Sequence, residues 1–215
     1  VFNERVNFFH KPQFNFSHFW SPNEKLTVST ILYLSVGHGG GTALKISGIP
    51  KDTATGTLDA QSIYDYNQNA AQNTTYNATE HPSNNYLRAN NNDHFWYGIN
   101  SSWNYKVNKN LSTLFGLDAR SYKGSHYQTV YNLMGGDYAI DNAVSDKNQP
   151  KGIFAGDPNF QYAVKRVGDK VNYNYDAKVY WLGCFAQGEY KIKKWTAFLT
   201  GSLSETGYQR IDYFK

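Results

Sequence analysis

His38-Gly39-Gly40-Gly41 is the pattern with which lipases and esterases build an oxyanion hole, with backbone N–H groups aimed at a developing negative oxygen. Such a hole needs a nucleophile, yet the strained turn that presents one, G-x-S-x-G, occurs nowhere in the 215 residues. The glycines read instead as the opening of a surface loop after a strand, and Gly135-Gly136 reads as a turn, not a phosphate cradle. The six histidines (His10, His18, His38, His81, His94 and His126) show no metal spacing such as H-E-x-x-H. Cys184 is alone and cannot form an internal disulfide. No catalytic residue, metal site or cofactor is expected.

Binding chemistry is better represented. Tyr64 to Tyr76, Asn84 to Asn92 and Tyr127 to Asn132 are rich in Asn and Tyr, which offer stacking faces and amide groups suited to a sugar or a chelate. The candidate binding residues there and nearby are Tyr64, Tyr66, His81, Arg88, His126, Tyr127 and Asp137. Asp118 and Arg120 form a second candidate, two opposite charges two residues apart in an alternating segment.

The chain that must position these groups is all-β in composition. Aromatics make up 17% with 18 Tyr, mean hydropathy is −0.64, and only 18% of residues are charged. That mixture suits strands with one apolar and one polar face and does not suit disorder. Net charge is +4 with no basic stripe, so nucleic acid is not an expected partner. Wholly apolar runs such as Ile31 to Leu34 are too short for a transmembrane helix.

Period-two alternation marks six strands. Lys25 to Gly37 sets Leu26, Val28, Thr30, Leu32, Leu34 and Val36 against Thr27, Ser29, Tyr33 and Ser35. Asp93 to Tyr105 sets Phe95, Tyr97, Ile99 and Trp103 against His94, Gly98 and Asn100. Leu111 to Lys123 sets Phe115, Leu117 and Ala119 against Gly116, Asp118 and Arg120. Pro12 to Trp20, Lys178 to Lys191 and Trp195 to Leu203 alternate less regularly.

The connections choose the architecture. Short turns at Ser21 to Glu24, Lys106 to Asn110 and Ile192 to Lys194 alternate with two very long segments, roughly Gly37 to Asn92 and Gly124 to Ala177. A compact soluble domain rarely carries two such loops. Outer-membrane barrels have this rhythm, with short periplasmic turns and long extracellular loops. Phe95 and Tyr105 lie ten positions apart on one face; tilted by about 40°, ten residues project to roughly 25 Å, the height of a lipid-facing band between aromatic girdles. Asp118 and Arg120 would then face the lumen, holding a plug or lining a path. Recognition is expected in the long loops, in Thr53 to Thr79 and Asp146 to Phe160, because the strands are committed to closing the wall.

Several ordered stretches resemble TonB-dependent receptors of the Bacteroidetes type. They include Phe9-His10-Lys11-Pro12-Gln13, Leu32 to Gly41, Asn92 to Gly98, Leu117 to Gly124, Leu133 to Tyr138, Arg166 to Val171 and Gly207 to Phe214. The resemblance implies that residues 1–215 are part of an antiparallel transmembrane β-barrel of about 22 strands. About six strands and two long extracellular loops would be present here, with the plug domain, TonB box and remaining strands absent. It further implies uptake of a nutrient such as a siderophore, cobalamin, glycan or peptide across the bacterial outer membrane. Implied partners are TonB-ExbB-ExbD through the plug, outer-membrane lipid and a surface lipoprotein. The rival reading is a secreted β-sandwich that binds carbohydrate or a cell-surface partner. A sandwich must bury Leu26, Val28, Leu32, Leu34 and Phe115 against a second sheet; a barrel leaves them to lipid.

Overall fold

The computed structural model describes residues 3–45, 51–141 and 163–214, so Asp146 to Phe160 lies outside the described residues. The alternating segments form one antiparallel meander. It runs β1 (Asn7–His10) and β2 (Gln13–Asn23), then β3 (Leu26–Lys45), β4 (Tyr86–Lys106), β5 (Leu111–Asn132), β8 (Lys170–Ile192) and β9 (Trp195–Asp212). β1 and β2 pair with the same edge of β3 on either side of Lys11-Pro12. A proline has no N–H to give a ladder, and edge strands are where sheets tolerate one. The sheet is open among the described residues, with β1, β2 and β9 at its two edges.

The three short turns lie at one end and the two long connections at the other. The turn ends are staggered. Leu26, the first residue of β3, lies across from Tyr105, then Thr113, then Gly188, while β8 runs four residues further to its own turn at Ile192. Four residues over three strand spacings incline the strands by about 40° from the perpendicular to the line of turns.

Residues directly opposite in a ladder share a face. Leu32 lies across from Phe16 and Ile99, Ile99 from Ala119, and Ala119 from Leu182. This face is left open. Leu32 is 45% exposed and Phe115 36%, and none of Leu26, Val28 and Leu34 is buried. The second sheet that a sandwich requires over this face is not found among the described residues; the one other sheet is the short pair β6 (Ala139–Ile140) and β7 (Val164–Lys165).

On the opposite face, rings lie flat across glycines. A Cβ on Gly98 would collide with the Tyr33 ring, one on Gly116 with Phe185, and one on Gly37 with His94. Glycine here lets an aromatic neighbour cover the backbone.

The buried apolar residues cluster at the long-connection end. Tyr86, Val130, Ala139 and Val171 form one cluster, and Ile63, Leu87 and Met134 form another. Described residues of both long connections fold into regular elements that the period-two alternation does not mark. The first carries α1 (Ala60–Gln68), capped by Asp59; the second carries β6 and β7. No helix of the described residues is long and apolar enough to cross a membrane.

The strands also outrun their sequence-based limits, and His38-Gly39-Gly40-Gly41 is inside β3, paired on both sides. Its N–H groups belong to a ladder, not to a loop. Asn90-Asn91-Asn92 and Gly39-Gly40-Gly41 have poor strand propensity, but each run lies opposite the other. Pairing from both sides overrides weak propensity.

Candidate functional site

The seven binding candidates do not converge. Tyr64 and Tyr66 stand exposed on α1. His81 and Asp137 meet where the two connections join: the His81 N–H donates to Asp137 Oδ2 at 2.9 Å, and the His81 ring contacts the Ala70 carbonyl at 2.6 Å. Arg88, His126 and Tyr127 are strand residues, a correction to their placement in loops that follows from the extended ladders of β4 and β5. Arg88 donates to Gln128 Oε1 at 3.3 Å. The His126 ring stacks on Tyr175 with centroids 5.1 Å apart, and its Nδ1 contacts Asn92 Oδ1 at 2.6 Å. Tyr127 turns to the other face, where its hydroxyl donates to Asp93 Oδ2 at 2.9 Å and Asp93 also holds His38.

Asp118 and Arg120 do come together. Arg120 Nη2 donates to Asp118 Oδ2 at 3.0 Å, and the guanidinium lies 5.0 Å above the Trp181 ring. Arg120 and Trp181, with Trp96, Tyr122 and Tyr208, line a cavity of about 390 Å³ on the glycine-paved face. Sequence reading found the ion pair but missed the aromatic surround. Trp96 and Trp181 fall inside separate alternating segments, and only cross-strand register joins them.

A larger cavity, about 530 Å³, lies between the two long connections. Tyr66, Asn69, Gln72, Asn73 and Asn84 come to it from the first connection and Ile140 from the second. Its frame is held by Asn67, which is fully buried. Asn67 Nδ2 donates to the carbonyls of Asn85 at 2.7 Å and Met134 at 2.9 Å, and Oδ1 accepts from the Asn84 N–H at 3.2 Å. Arg166 ties the connections again through Glu80 at 2.8 Å, and within its own connection it donates to the Asp137 carbonyl at 3.1 Å. Asp59 begins α1 by accepting from the Ser62 hydroxyl at 2.6 Å and the Ser62 N–H at 3.0 Å. Those hydrogen bonds hold its carboxyl below the ordinary carboxylate range. Burial, with the Asp141 charge behind it, pushes the Tyr86 phenol up to about 12.

Of the three Tyr- and Asn-rich stretches, Tyr64 to Tyr76 and Asn84 to Asn92 contribute to the described lining of this cavity and Tyr127 to Asn132 does not. What sequence did not give is which members share a wall: Tyr64 is absent from the lining and Tyr66 is in it.

Compared with protein-family models, with curated proteins and with solved structures, the chain matches none.

Proposed function

We propose that this chain is wall and surface loops of an outer-membrane β-barrel transporter of the TonB-dependent kind, taking up a nutrient such as a siderophore, cobalamin, glycan or peptide. One observation carries the reading. Measured from its own short turn, the open apolar face of β3, β4, β5, β8 and β9 shows no Asp, Glu, Lys or Arg until at least ten residues along. His38, Asp93, Lys123, Lys178 and Glu205 then end the band, one on each strand. Ten residues inclined by about 40° rise roughly 25 Å, the height of the lipid-facing band of such barrels. The stagger of the turns supports the same reading, because an inclination of about 40° is what closing a barrel requires.

Trp20, Trp103, Tyr105, Tyr190 and Trp195 lie near the turns, where a girdle at the membrane boundary belongs. The opposite face, with Ser29, Asn100, Asp118 and Arg120, suits a water-filled or plugged lumen. The folded connections would then stand outside the cell as the recognition end, and transport would follow from plug movement driven by TonB-ExbB-ExbD.

Nitroxide side chains placed one at a time from Ser112 to Ala119, in the complete protein carrying Cys184→Ser and reconstituted in lipid, test the reading. Labels at Thr113, Phe115, Leu117 and Ala119 should collide with dissolved oxygen and be shielded from an aqueous nickel chelate. Those at Leu114, Gly116 and Asp118 should show the reverse. Equal nickel access on both faces sinks the membrane reading.

A further inference from the structure

We propose that the cavity between the two long connections binds a neutral oligosaccharide. This deepens the functional reading above, since it rests on the connections being the recognition end and names the class of ligand they take.

The argument starts from what lines the cavity. Among the described residues that line it, none is an Asp, Glu, Lys, Arg or His. A ferric chelate or a peptide terminus brings net charge into its site, and such a charge without an opposite partner is costly to desolvate. A neutral polyhydroxylated ligand brings no such penalty. It needs hydrogen-bonding groups that both donate and accept, and an aromatic face for the C–H side of a sugar ring.

Both are present. Asn69, Gln72, Asn73 and Asn84 supply four carboxamides, and each carboxamide carries two donors and an acceptor. Asn69 Nδ2 donates to the Asp65 carbonyl at 2.8 Å and Gln72 Nε2 to the Thr79 carbonyl at 3.2 Å, which fixes these amides and leaves their oxygens for a ligand. Asn73 Oδ1 accepts from the Thr75 N–H at 3.1 Å, which leaves its NH₂ to donate. Tyr66 is 59% exposed and supplies the ring. Ile140 makes an apolar boundary from the second connection. A volume of about 530 Å³ accommodates a short sugar chain.

The cavity is also built before a ligand arrives. The Asn67–Met134 and Arg166–Glu80 hydrogen bonds fix the two connections together, and Pro82 bridges to Tyr138. Preorganised walls reduce the ordering cost of binding. The charged alternative lies elsewhere: a cavity of about 480 Å³ beside β1 and β3 is lined by Arg5, Lys11 and His94.

The test uses the complete protein in detergent and titration calorimetry with maltohexaose, xylohexaose, mannohexaose and chitohexaose, with hexagalacturonate as the anionic counterpart. At least one neutral hexasaccharide should bind. Tyr66→Ala should weaken it by about tenfold, and Tyr66→Phe, which keeps the ring, by less than about twofold. Lys193→Ala, in the turn at the far end, should leave it unchanged. Amide-exchange protection of α1 in Tyr66→Ala shows whether the helix has kept its fold. The proposal is overturned if no neutral sugar binds, if hexagalacturonate alone binds, or if Tyr66→Ala binds as the parent does. The nitroxide scan is independent. Sugar binding with a water-exposed apolar face removes the transporter and leaves the cavity; a lipid-shielded face with no sugar bound removes the cavity alone.

Discussion

Asn67 and Met134, 67 positions apart in sequence, are joined by a hydrogen bond of 2.9 Å from the Asn67 carboxamide to the Met134 carbonyl. One buried side chain thereby connects the first long connection to the second. Asn67 also receives the Asn84 N–H and donates to Asn85. The long-connection end is therefore a small folded body with its own core, set on a sheet whose apolar face is open.

Replacing Asn67 by Ala removes the partner of two buried carbonyls and one N–H. An orphaned buried polar group costs about 1–3 kcal/mol. Amide exchange should therefore speed up in α1 and in the turn at Met134-Gly135-Gly136, while amides in the turn-side halves of β3, β4 and β5 keep their protection. Unchanged exchange at Met134 would show that Asn67 does not hold the connections together.

Leu32 and Leu117 lie mid-band on the apolar face, Leu32 between Phe16 and Ile99, and Leu117 between Ser101 and Cys184. Ser29 lies on the other face, between Phe19 and Ser102. Arginine at Leu32 or Leu117 should destabilise folding into bilayers by about 2–4 kcal/mol, and arginine at Ser29 by much less. Equal costs on the two faces would contradict the assignment.

Alternation exposed the sheet in sequence, because a strand with one apolar face repeats every second residue and the three short turns carry polar residues. The upper halves of the same strands were hidden. From His38 and Asp93 onward, the apolar face gains charge and the glycine and asparagine runs begin. A loop and a strand that needs no apolar face look alike there. α1 was hidden for another reason. It is nine residues long, and just two of its residues, Ile63 and Asn67, are buried, too few to set up a helical repeat. The convergence of Arg120 with Trp96 and Trp181 depends on register between strands, which is a property of pairs of segments and not of any one.

Gly116 and Phe185 offer a test of the paved face. A Cβ at Gly116 meets the Phe185 ring and no other atom among its nearest neighbours. Gly116→Ala should then destabilise by about 1–3 kcal/mol through overpacking. In a Phe185→Ala background that cost should largely vanish, so the two changes should be non-additive. Strict additivity, measured by denaturant titration in bilayers, would mean that the ring moves aside freely and the paving is incidental.

Acid should loosen the long-connection end through Asp59. Its carboxylate accepts both Ser62 hydrogen bonds, and these depress its pKa below the ordinary value of 3.8. Protonation is therefore harder in the folded state than in the unfolded one. The stabilisation it gives is complete above the unfolded value and is lost as pH falls through the depressed one. Between pH 5 and pH 2.5, amides in the first turn of α1 should lose exchange protection, corrected for the intrinsic rate. Asn is as good a helix cap as Asp and does not titrate. Asp59→Asn should keep the helix at pH 5 and flatten its response to acid, and because Tyr66 lies on α1, it should flatten the acid response of sugar affinity as well. A first turn that frays equally with pH in the parent and in Asp59→Asn would place the sensitivity elsewhere in the connections.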